Sequence, residues 1–127
     1  MFETEGLDHV ALAVRDVDRS IAWYQEVLGL ERRHEDEWGN EPAIVGRGTT
    51  ALALFEAPVG AQAAEPDRNI IKMLHLAFRV NAVNFLAAQK SLRERDIRFA
   101  FRDHGAAQSI YFPDPDGHRI EITTWDV

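Results

Sequence analysis

A chain of 127 residues, 46% hydrophobic and 28% charged, is long enough for one compact domain, or for two small modules sharing a core, and its composition is not that of a disordered chain. It has no cysteine, which excludes disulfides, thiolate metal sites and a cysteine nucleophile. Its net charge of −7, acidic N-terminal residues and lack of any long apolar run argue against nucleic acid and membrane as partners and lead us to expect a cytoplasmic protein.

Leu7 to Val14 alternates, with Val10, Leu12 and Val14 on one side and His9, Ala11 and Ala13 on the other, so a strand is expected with a histidine on its small-residue face. Asp16 or Asp18 can cap a helix running to about Leu28, with Val17, Ile21, Tyr24 and Leu28 as its stripe and Gly29 as its stop. Leu30 to Trp38, Ala43 to Val45 and Thr50 to Phe55 read as three strands, with turns at Gly39-Asn40 and at Gly46 to Gly48. The first half is thus a βαβββ unit of about residues 5–57.

Pro58, Gly60, Pro66 and a run of Ala, Gln and Asp mark residues 58–72 as a linker. Met73 to Val80 then repeats the opening pattern, with Leu74, Leu76, Phe78 and Val80 facing one way and His75, Ala77 and Arg79 the other. Asn81 caps a second helix, about Ala82 to Glu94, with Val83, Leu86 and Leu92 as expected core residues. Strands are expected at about Ile97 to Phe101, Gln108 to Pro113 and His118 to Trp125, closing a second unit of about 73–127. The chain therefore states one pattern twice, which is the mark of an internal duplication. Laid one over the other, the halves set Leu54 against Glu121.

The last two strands meet at a turn of Pro115, Asp116 and Gly117, which sets Asp114 against His118, Pro113 against Arg119 and Tyr111 against Glu121. Ile110, Phe112, Ile120 and Ile122 then take the opposite, buried face, so Glu121 should not point into ordinary core. If the two halves pair about a pseudo-twofold axis, His9, His75 and Glu121 can converge. Two imidazoles and one carboxylate would hold a divalent ion and leave about half of an octahedral shell open, favouring anionic, oxygen-rich ligands. A lone strand histidine or glutamate is more often structural; the joint placement is what points to a ligand set. Tyr111 can pack and hydrogen-bond the carboxylate, or orient or protonate a substrate. His104 can be a loop histidine or a base behind the ligands, and Arg79 can end in solvent or reach an anion. His34 and His118 are expected to be exposed.

These residues resemble the vicinal oxygen chelate superfamily, which includes glyoxalase I, extradiol dioxygenases, fosfomycin-resistance transferases, methylmalonyl-CoA epimerase and bleomycin-binding proteins. The likeness rests on Leu7-Asp-His-Val-Ala-Leu-Ala-Val, Asp18-Arg-Ser-Ile-Ala-Trp-Tyr-Gln-Glu-Val-Leu-Gly-Leu, His75, and Tyr111-Phe-Pro-Asp-Pro-Asp-Gly-His-Arg-Ile-Glu121, and it spans essentially the whole chain. It implies an α+β fold of two tandem βαβββ modules in one domain, a homodimer, and a small-molecule substrate. It also implies His9, His75 and Glu121 as ligands of one divalent metal ion per site, Fe(II) first, with Mn, Ni, Zn or Co as alternatives.

Three departures narrow the chemistry. The second glutamate of glyoxalase-like enzymes falls on Leu54; the threonine that follows the first histidine of fosfomycin transferases is Ala11; and their lysine near Phe101 is missing. The resemblance therefore implies a dioxygenase-like metal enzyme with Tyr111 near the substrate; ring cleavage would need His104 or another group as its base, and Arg79, from the strand pattern, is the candidate substrate contact. Its alternatives are a metal-dependent lyase, isomerase or transferase, or a metal-free ligand-binding protein of the bleomycin-resistance kind.

Overall fold

The computed structural model describes residues 1–65 and 67–127, which form two compact units, Met1–Gln62 and Ala63–Val127. The expected linker 58–72 contains neither helix nor strand among its described residues, and its Pro66 lies outside them.

In the first unit, β1 (Val10–Val14) leads into α1 (Val17–Leu28), followed by β2 (Glu31–Arg33), a short α2 (Glu35–Trp38), β3 (Ala43–Arg47) and β4 (Thr50–Glu56). The sheet order is β1-β4-β3-β2, with β1 and β4 parallel and the other pairs antiparallel. Asp16 caps α1 by accepting from the Arg19 amide at 3.1 Å, and left-handed Gly29 ends it. Val17, Ile21 and Tyr24 are buried on the stripe that packs on β3 and β4.

The second unit repeats the scheme: β5 (Leu76–Arg79), α3 (Ala82–Glu94), β6 (Ala100–Asp103), β7 (Gln108–Pro113) and β8 (Arg119–Thr124), in the order β5-β8-β7-β6 with only the β5/β8 pair parallel. Asn81 caps α3 through its side-chain oxygen, 2.8 Å from the Asn84 amide. Ile110, Phe112, Ile120 and Ile122 are buried, each contributing about 1.5 to 3 kcal/mol of apolar transfer. No helix among the described residues is long and apolar enough to cross a membrane.

Several boundaries differ from the sequence reading. The strand expected over Leu30 to Trp38 stops at Arg33, because His34 turns left-handed (φ 58°) and Glu35 starts α2. Gly46 lies inside β3 opposite Ala51, so the hairpin turns on Gly48-Thr49 alone. β6 starts at Ala100, not Ile97, and His9 and His75 immediately precede their strands. On α3 the buried stripe is Phe85 and Leu92, seven residues apart; Val83 and Leu86 lie off it and are 76% and 69% exposed.

Candidate metal centre

The second unit's sheet separates its chemistry by face. Tyr111 pairs with Glu121, Ser109 with Thr123 and Pro113 with Arg119, while Glu121 also pairs with Ala77 of β5. Strand alternation places Ser109, Tyr111, Arg119, Glu121 and Thr123 on the face away from the isoleucines, and the same rule brings in His75, two residues before Ala77. Tyr111 and Glu121 are opposite each other, as the hairpin register required.

Glu121 is 8% exposed and held at both oxygens. Its Oε1 is 2.9 Å from His75 Nε2, and its Oε2 accepts the hydroxyl of fully buried Ser109 at 2.6 Å. Ser109 Oγ is in turn 3.0 Å from Thr123 Oγ1, so one hydroxyl supports the next behind the carboxylate. A divalent ion holding nitrogen and oxygen in neighbouring positions at bonds of about 2.1 Å keeps those atoms about 3 Å apart, so the His75/Glu121 pair fits two places of one shell. The remaining carboxylate oxygen is engaged by Ser109, which suits a ligand that binds through one oxygen.

Beside this pair stands Tyr111. Its hydroxyl is 2.9 Å from Nε2 of His104, and its ring meets His75 edge-on at 5.8 Å between centroids. Burial, followed by the negative charge of Glu121, raises the phenol above its ordinary value of 10.0; a hydrogen bond to Ser109 and the charge of Arg119 act the other way. The phenol therefore keeps its proton at neutral pH. Arg119 lays its guanidinium over the Tyr111 ring at 4.4 Å, whereas Arg79 lies over Trp125 at 5.6 Å. His118, expected to be exposed, is half-buried at the end of the hairpin, where Asp114 accepts from the amides of Asp116 and His118.

His9 belongs to the first unit, where its Nδ1 is 2.8 Å from Asp8 Oδ2, a contact that uses one ring nitrogen and not Nε2. Taken unit by unit, the described residues gather no three His, Asp or Glu side chains; the second unit supplies the His75/Glu121 pair. The ladders also correct the equivalence of Leu54. Ala77, two residues after His75, pairs with Glu121; Ala11, two residues after His9, pairs with Ala53. Ala53 is thus the counterpart of Glu121, and Leu54 sits fully buried on the other face of β4. No bulge interrupts β1 against β4, so Glu56 shares the Leu54 face. The inference that this position lacks a carboxylate stands, with alanine in place of leucine.

The model of the Glyoxalase/Bleomycin resistance protein/Dioxygenase superfamily matches residues 6–122. The chain belongs to that superfamily. It is 30% identical to metallothiol transferase FosB of Staphylococcus epidermidis over 96% of this chain and 83% of that protein. Catechol-2,3-dioxygenase of Bacillus subtilis is 25% identical over 94% of this chain but only 41% of its own length. A glyoxylase/bleomycin resistance protein/dioxygenase domain from Frankia sp. EAN1pec, 24% identical, superposes with a TM-score of 0.80 over 96% of this chain and 98% of that domain. The expected α+β fold of two βαβββ modules is therefore the fold of this superfamily member.

Of the sequence-predicted residues, His75, Glu121, Tyr111 and His104 come together in the second unit, and Arg79 turns to Trp125. Ser109 and Arg119 were missed. Both could have been found by continuing the alternation outward from the Tyr111/Glu121 pair, since each lies two residues from one of them.

Proposed function

We propose that this superfamily member is a divalent-metal enzyme whose small substrate chelates the ion through vicinal oxygens. His75 and Glu121 would hold the ion with His9 as third donor, Fe(II) being the first candidate and Mn, Ni, Zn or Co the alternatives. The observation that carries the reading is the 2.9 Å His75/Glu121 pair with Ser109 on the second carboxylate oxygen. Bound there, the ion supplies Lewis-acid polarisation of the chelated oxygens. Tyr111, still protonated, donates a hydrogen bond or its proton to substrate, and His104 is placed to return a proton to the Tyr111 oxygen. Ala53 offers no second carboxylate, so a glyoxalase-type proton abstraction by that position is disfavoured.

Addition or group transfer to a small electrophile is the leading reaction class, supported by similarity to a metallothiol transferase of nearly the same span. Ala11 and the missing lysine make fosfomycin itself a poor substrate. Dioxygenase chemistry is the second reading, favoured by the His104/Tyr111 contact, which provides the acid-base pair that ring cleavage needs. The working form is taken to be a cytoplasmic homodimer.

Protein purified and reloaded with Fe(II), Mn(II), Ni(II) or Zn(II) tests the reading. We expect about one ion per chain, and less in Glu121→Ala. Turnover without oxygen on thiol and electrophile pairs supports the transfer class, and oxygen uptake with catechols supports the dioxygenase. A wild type that takes up none of these metals overturns the proposal.

A further inference from the structure

We infer that Arg119 recognises an acidic group on the substrate, so that the natural ligand pairs its chelating oxygens with a carboxylate. The inference rests on the metal-enzyme reading and adds the substrate class. Arg119 lies two residues before Glu121 on the same strand and face. Continuing the parallel β5/β8 register back from Ala77/Glu121 places His75 level with Arg119, so Arg119 shares a strand neighbourhood with His75 and Glu121 and sets its guanidinium over Tyr111.

Its contact with Tyr111 does not neutralise it. The guanidinium carbon lies 4.4 Å from the centre of the Tyr111 ring, and a ring face does not take up the N–H donors as a carboxylate would. Among the described residues no Asp or Glu lies within ion-pair distance of Arg119, whereas Arg32 has Glu35. Arg119 is thus a half-buried cation without an ion-pair partner among the described residues, beside the proposed metal donors, in a chain whose net charge is −7. The planar N–H fork matches a carboxylate at two points, and partial burial strengthens the attraction. Arg79, the sequence-based candidate for this role, lies at the other end of the ladder, level with Thr123 and over Trp125.

The competing account is that Arg119 only braces Tyr111. Full-length protein loaded with Mn(II) and kept anaerobic separates the two, with catechol and 3,4-dihydroxybenzoate as probes that share a chelating diol and differ by one carboxylate. Calorimetry should show wild type binding the acid roughly tenfold more tightly than catechol. Arg119→Gln should abolish that preference while its Mn(II) and catechol affinities stay within about twofold, and Arg119→Lys should restore part of it. Equal weakening of both probes in Arg119→Gln means bracing and overturns the inference. A wild type that binds Mn(II) and catechol without preferring the acid overturns the arginine's role alone. A wild type that takes up no Mn(II) overturns the metal reading and this inference with it.

Discussion

Ser109 is the residue on which the direction of Glu121 depends. A buried carboxylate oxygen without a donor is costly, and the 2.6 Å hydroxyl contact supplies that donor while leaving Oε1 toward His75. Ser109→Ala should lower Mn(II) affinity by roughly tenfold and stability by about 1 to 3 kcal/mol; metal titration and urea unfolding measure the two. Ser109→Thr, which keeps the hydroxyl, should recover most of the metal affinity. Tyr111 gives a prediction in pH. Because its folded value is raised above 10.0, the fold favours the neutral phenol; that stability is fully present below about pH 10 and is lost as pH climbs through the folded value. Metal-free wild type should therefore lose stability more steeply than Tyr111→Phe as pH rises above about 10, read from urea midpoints. Equal slopes would show that Tyr111 does not titrate differently in the fold.

At the scale of elements, local chemistry was legible wherever one residue type has one job. Asp16 and Asn81 announce helix starts by their side-chain acceptors, Gly29 a stop, and Asp114 to Gly117 a turn that fixes the register of β7 against β8. Where several outcomes suit the same residues, the sequence was silent. Arg33, His34 and Glu35 suit an exposed strand as well as a helix start, and only the left-handed turn of His34 decides. Val83 and Leu86 look like core at helical spacing, yet the stripe that reaches the sheet is Phe85 and Leu92, and which stripe docks is a tertiary matter. Two substitutions follow. Gly117→Ala should cost about 1 to 3 kcal/mol in thermal or urea unfolding, since φ is +89° and a Cβ would collide with the Ala64 carbonyl. Leu92→Ala should cost about 2 to 5 kcal/mol, whereas Leu86→Ser should leave the unfolding midpoint of dilute protein nearly unchanged.

Over the whole chain, the duplication was readable because both halves open on a histidine, two alternating strand residues and a capped helix. What it could not give was the residue-level equivalence between the halves. Their hairpin loops differ by one residue, Gly48-Thr49 in one and Pro115 to Gly117 in the other, so sliding one half over the other misplaces β4 by a residue and picks Leu54 for Ala53. Since a slip of one residue exchanges the faces of a strand, the error moves a position from the histidine side into the core. The halves have also diverged in charge, with alanine on the first and glutamate on the second, which assigns the carboxylate of the proposed metal site to one of them. Saturating Mn(II) should accordingly raise the thermal midpoint of wild type in a concentration-dependent way and leave Glu121→Ala close to its metal-free value. A shift of equal size in both would remove Glu121 from the ligand set.

The Ala64 amide donates to the Asp116 carbonyl at 2.9 Å, and Ala64 packs on Gly117. The chain is thus stitched to the tip of the hairpin that carries Glu121 before it travels on to His75. That stitch gives descendants of this gene an uneven freedom to diversify. Residues inserted after Ala64 can lengthen the path toward His75, while the turn that leads into the Glu121 strand remains tied down. Insertions just before Ala64 would instead pull on the knot itself.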